Sequence, residues 1–225
     1  MTLIIYAKCA DASILISDRQ EVSGTSVVQA VIKYHIPKDS SYIMAFSAKA
    51  GQEVDRFYTR LQINPINLSQ FVRDLSRTVK EDRLAIDLHG EEGCFVVYQN
   101  NEIICYNLTL FSTEIAVIQW DEDWKCVGDE NAKAAGNVLM NKANISKDNW
   151  QKAAQKIIAI MHNISHRISS VGKIQILGFD VFIMKNNGEL LPHKYTNYTK
   201  PDIAIKFDYE HVAVFENLFT KWSGP

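Results

Sequence analysis

Thr2 is the residue of this chain whose chemistry depends most on its position. Methionine before a small residue is normally trimmed, and trimming here would leave threonine as the first residue. A threonine hydroxyl is a poor nucleophile alone. A free α-amine on the same Cα, with a reference pKa of about 7.7–8.0, supplies a base close to neutral pH. Asp18 and Lys33 are the charges to set beside it: Asp18 ends one apolar run, and Lys33 is the lysine of another, Val27–Ile36.

The elements around these residues have to bring them together. Leu3–Lys8 and Ala12–Ser17 both read as short buried strands, with Asp11-Ala12 as a tight connection between them. Residues 3–9 and 13–18 therefore make a hairpin, and its antiparallel return brings Asp18 beside Thr2. Val27–Ile36 reads as a third strand and Tyr42–Phe46 as a fourth. The fourth runs through Ser47-Ala48-Lys49-Ala50-Gly51 into a helix with apolar spacing at Val54, Phe57 and Leu61.

Together, Thr2, Ser17-Asp18, Gly24, Lys33 and the Ser47–Gly51 segment resemble a proteasome β-type subunit, within the N-terminal nucleophile hydrolases. That family's pattern is an N-terminal threonine and strand, then a strand ending Ser-Asp-x-Arg-x-x-x-Gly. A strand carrying a lysine and a small-residue segment opening the first helix come after it. Val127-Gly128-Asp129-Glu130 resembles the Val-Gly-Ser-Gly segment before the family's third helix, and Phe179–Gly188 its late strand and turn. The resemblance covers about residues 2–195, most specifically in the first fifty.

The resemblance implies roles. Thr2 is the nucleophile, and the positive charge of Lys33 lowers the pKa of its amine and hydroxyl. Asp18 keeps Lys33 charged and oriented. The oxyanion is met by a backbone N–H of Lys49 or Ala48 at the start of the first helix. Ser47, Glu21 and Val22 border the bound substrate. Asp129 stands where the family has a serine near the threonine, and Ser169 or Ser170 is the candidate for a second supporting serine. Three positions depart from the pattern: Gln20 replaces an arginine, Lys49 a glycine and Asp129 that serine.

Three readings follow. The first is a threonine-type peptidase that forms an acyl-enzyme on Thr2, assembled as a homo-oligomeric ring on polypeptide substrate, with an ATP-dependent unfoldase as a possible partner. The second keeps the acyl-enzyme and passes it to an amine, as a peptide ligase or transpeptidase. The third is a non-catalytic ring subunit, motivated by Gln20, Lys49 and Asp129.

Composition narrows the field. With 24 basic and 26 acidic residues and a formal charge of −2, the chain carries no nucleic-acid footprint. No apolar run is long enough to span a membrane and no signal-peptide pattern opens the sequence, so a cytoplasmic protein is expected. Cys9, Cys94, Cys105 and Cys126 lack metal or redox spacing and are expected as buried thiols. His162 and His166 fall at i, i+4 on a helix but lack a third ligand; no metal and no cofactor is expected.

At 225 residues one domain is expected, an α+β four-layer αββα sandwich over 1–195. Residues 196–225 form a C-terminal extension whose 209–222 stretch has helical apolar spacing. A second helix follows Asn67-Leu68-Ser69, and a hairpin pairs Cys94–Tyr98 with Glu102–Tyr106 across Gln99-Asn100-Asn101. Ile115–Trp120 and Trp124–Val127 read as strands, and Glu130–Asn141 and Asp148–Arg167 as helices, the latter capped by Ser146. The last strand is Ile174–Met184, nearly all apolar.

Overall fold

The computed structural model describes residues 3–23, 26–30, 34–36, 42–46, 73, 92–110, 115–168, 171, 179–191 and 194–196. Strands β1 (Leu3–Lys8) and β2 (Ala12–Asp18) form the expected hairpin, with Ile4 opposite Ser17 and Lys8 opposite Ser13. On its outer sides lie β10 (Trp124–Gly128), paired with β1, and β11 (Phe179–Lys185), paired with β2. The short β12 (Lys194–Thr196) completes a sheet of order β10-β1-β2-β11-β12.

Strands β5 (Tyr34–His35), β6 (Tyr42–Phe46), β7 (Glu92–Gln99), β8 (Glu102–Leu110) and β9 (Ile115–Trp120) pair in that order as a second sheet. The β7–β8 hairpin closes over Asn100 and Asn101, at φ 53° and 63°. Asparagine tolerates that left-handed backbone, which matches the twist of the flanking strands. β3 (Gln20–Ser23) and β4 (Ser26–Ala30) form a separate two-stranded ribbon.

Strands β1, β2 and β11 read as continuous apolar runs because both faces of their sheet are covered. Leu3, Ile5, Ile14, Ile16, Val181 and Ile183 face helices α1 (Glu130–Ala143) and α2 (Trp150–Arg167). Their alternates Ile4, Tyr6, Leu15, Phe182 and Met184 pack on Ile43, Cys94, Val96 and Cys105 of the second sheet. Gly136 lets α1 approach closely: a Cβ there would lie 2.7 Å from Cys126 Sγ. All four cysteines are buried and free.

Three layers, helices on sheet on sheet, lie within the described residues. The segment expected to form the fourth lies outside them except for Arg73, which is helical. The 209–222 stretch also lies outside them. Of the run 27–36, β4 pairs with β3 and β5 with β6 of the second sheet, residues 31–33 lying outside the described residues. Two expectations change. The cap of α2 is Asn149, whose side chain accepts Lys152 N–H, instead of Ser146. β12 was not expected.

Candidate active site

One end of the first sheet collects the residues of interest. Gly128 pairs with Leu3 and Phe179 with Asp18, while Asp18 Oδ1 accepts the Leu3 N–H at 3.0 Å. A single row therefore crosses four strands, with Asp18 fully buried within it. The Leu3 amide is the peptide bond to Thr2, so this carboxylate is fixed one residue from the expected nucleophile. A carboxylate bond to a backbone N–H is shorter and stronger than a neutral one, and it orders the start of β1.

The next row brings a second pair of charges. Asp180, opposite Ser17, is 1% exposed, and Arg19 grips it with both arms of its guanidinium, Nε to Oδ2 at 2.7 Å and Nη2 to Oδ1. Asp180 has the parity of Phe182, so it faces between the sheets, as Ile4 does. Tyr34 comes to the same place from β5. Its ring meets Phe182 edge-on at 4.5 Å. Burial, and then the Asp180 charge, push its hydroxyl up to about 12, with Arg19 acting in the opposite direction. Tyr34 is the residue after Lys33.

Asp129 follows Gly128, whose φ of 127° turns the chain from β10 into α1. The Asp129 side chain caps that helix by accepting the Ala132 N–H at 3.1 Å. Glu21 and Val22 lie on β3 opposite Gln29 and Val27, with a bulge between them, on the ribbon that leaves the Asp18 end. Thr2, Lys33, Ser47, Ala48, Lys49, Ser169 and Ser170 lie outside the described residues.

The row thus brings Asp18 to the start of β1, with Asp129 one residue beyond its Gly128 end, while Arg19 and Asp180 were not anticipated. Their signal was legible: Asp180 interrupts the apolar run Phe179–Met184, and a carboxylate in a strand covered on both faces needs a partner. An arginine was sought at position 20; it stands at 19.

Comparison with known proteins fits this geometry. No family model matches the chain, and no curated protein matches it. Among solved structures it resembles Anbu from Hyphomicrobium sp. strain MC1 at 12% identity and a TM-score of 0.68, over 97% of this chain and 93% of that one. A Gly-1 mutant of Anbu from the same strain gives 11% identity and 0.69, over 98% and 93%. The fold is that of an N-terminal nucleophile hydrolase.

The proteasome β-subunit resemblance is corrected by these findings. Two of the solved structures alike are Anbu, and the likeness at 11–12% identity is one of fold. Among the described residues no helix is long and apolar enough to cross a membrane.

Proposed function

We propose that the chain is an N-terminal threonine hydrolase that cleaves amide bonds of polypeptides, with Thr2 exposed by loss of Met1. The observation that carries this reading is the buried hydrogen bond from Leu3 N–H to Asp18 Oδ1. It anchors the start of β1 beside a carboxylate at one end of the first sheet. Along β1 Ile4 and Tyr6 face the second sheet, and Thr2 has their parity. On that face lie Arg19, Asp180 and Tyr34.

In the proposed reaction Thr2 Oγ attacks the substrate carbonyl while the α-amine takes its proton. The oxyanion is met by the backbone N–H of Lys49 or Ala48. The proton passes to the departing amine, leaving an ester on Thr2, which water hydrolyses. Lys33 tunes the Thr2 amine, with Asp18 as its counter-charge. Ser169 and Ser170 follow α2, whose N-terminus is tied to the β1–β2 turn by Trp150 N–H on Asp11 Oδ1 at 2.8 Å. At about 1.5 Å per residue, its 18 residues run about 27 Å away from that turn. Assembly into several copies, with an unfoldase to feed them, belongs to the same reading.

A non-catalytic reading draws on two bonds: Asp18 and Asp129 each hold a backbone N–H, which a scaffold would need equally. Intact mass and turnover of a labelled peptide library separate the two. The expected results are a chain starting at Thr2, turnover by that chain, and none by Thr2→Ala. Full turnover with Met1 retained would overturn the mechanism, because the base would then be an amide nitrogen.

A further inference from the structure

The layer between the two sheets is filled by Tyr6, Leu15, Phe182 and Met184 packed against Val96 and Cys105. At the far end of β1 it opens. Lys8 and Ser13 pair across the β1–β2 hairpin and have the parity of Tyr6 and Leu15, so both lie on the face toward the second sheet. The β7–β8 hairpin brings Asn101, Glu102 and Ile103 to the same place, and the turn after β11 brings Asn186. With Cys9 and Ala12 these residues wall a cavity of about 420 Å³.

Three turns are tied together around it. Asn186 N–H donates to Asp11 O at 3.1 Å and its Nδ2 to Ala10 O at 3.2 Å, which holds the turn after β11 on the β1–β2 turn. The Tyr98 ring lies so close to Gly188 that a Cβ there would overlap it, and the Tyr98 hydroxyl donates to Asn101 Oδ1 at 3.4 Å. Ser13 and Tyr6, both buried, share a hydrogen bond of 3.2 Å between their hydroxyls at the inner end. Cys9 Sγ donates to Ala12 O at 3.0 Å, and burial pushes its thiol up to about 11, so it serves as wall and not as nucleophile.

Two opposite charges remain on this wall. Lys8 is half-buried and Glu102 exposed, and each is the only charge of its sign among the described lining residues. Among the described residues neither has an ion-pair partner, whereas the nearby Lys185 and Glu189 pair with each other at 2.9 Å. Ala12, Ile103 and Cys9 supply apolar surface between them. A preformed concave site with a few convergent polar groups suits a small molecule, and one ammonium with one carboxylate complements a ligand that carries one charge of each sign.

We propose that this cavity binds a free α-amino acid, its carboxylate on Lys8 Nζ, its ammonium on the Glu102 carboxylate and an apolar side chain against Ala12 and Ile103. Lys8 lies five residues along β1 from Leu3, about 17 Å at the rise of a strand, so the site is separate from the chain start. It requires no chemistry at Thr2.

The test titrates the full chain by calorimetry with L-leucine, with L-leucinol, which lacks the carboxylate, and with 4-methylpentanoate, which lacks the ammonium. None of the three has an amide bond to cleave, so failure here is distinct from failure of the hydrolase reading. L-Leucine should bind about tenfold tighter than leucinol, the size of one charged contact to a half-buried group. It should bind about threefold tighter than 4-methylpentanoate, because Glu102 is exposed. Lys8→Met should lose the first preference and keep the second; Glu102→Gln should do the reverse. Glu102→Gln alters an exposed side chain and leaves the fold intact, so it decides the site even where Lys8→Met does not fold. No saturable binding of L-leucine, equal binding of all three compounds, or an unchanged preference for leucine over 4-methylpentanoate in Glu102→Gln would overturn the proposal.

Discussion

Asp180→Asn removes one charge from the Arg19 pair and keeps its volume. The Asp180 side chain is 1% exposed and that of Arg19 16%, so the guanidinium left behind sits largely out of water. Removing one partner of a buried pair costs about 3–5 kcal/mol. Arg19 keeps some access to solvent, and asparagine can still accept one of its two N–H bonds, which brings this case to about 2–3 kcal/mol. At about 2–4 °C per kcal/mol for a chain of this size, the melting temperature should fall by about 4–12 °C. Replacing both partners, Arg19→Met with Asp180→Leu, should recover most of the loss, because an apolar pair leaves no charge stranded. Thermal and urea unfolding of wild type, both single variants and the double variant give the coupling directly. Asp180→Asn melting within about 1 °C of wild type, the behaviour of an exposed pair, would refute the reasoning. So would a double variant as unstable as the two singles summed.

Asp18→Ala should cost about 1.5–3 kcal/mol in urea unfolding, because it leaves the buried Leu3 N–H without its charged acceptor. Gly136→Ala should lose about 1–2 kcal/mol despite better helix propensity, since its Cβ would meet Cys126 Sγ at 2.7 Å, and Cys126→Ala on that background should relieve the clash. Burial works against the Asp148 carboxylate, but hydrogen bonds and charge from Lys152 and Lys156 outweigh it and hold the group below the usual carboxylate range. Its contribution is therefore full above about pH 4 and lost as pH falls through the folded value. Asp148→Asn should be less stable than wild type at pH 7, with the gap closing toward pH 3 in a thermal series.

Much of the fold was legible because its signals are local and repeated. The β1–β2 hairpin follows from two apolar runs and a two-residue break, and the β7–β8 hairpin from Asn100-Asn101, which supply the left-handed turn. Helix α1 was located to within two residues, after a Val127–Glu130 segment that resembles the one before the family's third helix. What was missed depends on partners distant in sequence. Ser146, Asp148 and Asn149 are all capable caps within four residues; Asp148 is taken up by Lys152 and Lys156, and Asn149 caps instead. Val27–Ile36 is a mainly apolar run, and nothing local says that its two ends pair with different strands. β12 is three residues long, too short to show a period. Of the candidate site, Asp18 beside the chain start was readable from hairpin register. Of the Arg19–Asp180 pair only half was readable: a carboxylate in an apolar strand needs a partner, but nothing local names one 161 residues away.

The most direct test of the nucleophile is covalent labelling of Thr2. A threonine-directed electrophile such as a peptide epoxyketone, incubated with the native chain sized by light scattering, should give one adduct that peptide mapping places on Thr2. Lys49→Gly should label as fast or faster, because the backbone N–H that meets the oxyanion is unchanged and only the side chain is lost. Thr2→Ala should not label, and Lys33→Ala should label far more slowly. Absence of an adduct on Thr2 in both wild type and Lys49→Gly, with the fold intact, would contradict the enzyme and leave a scaffold.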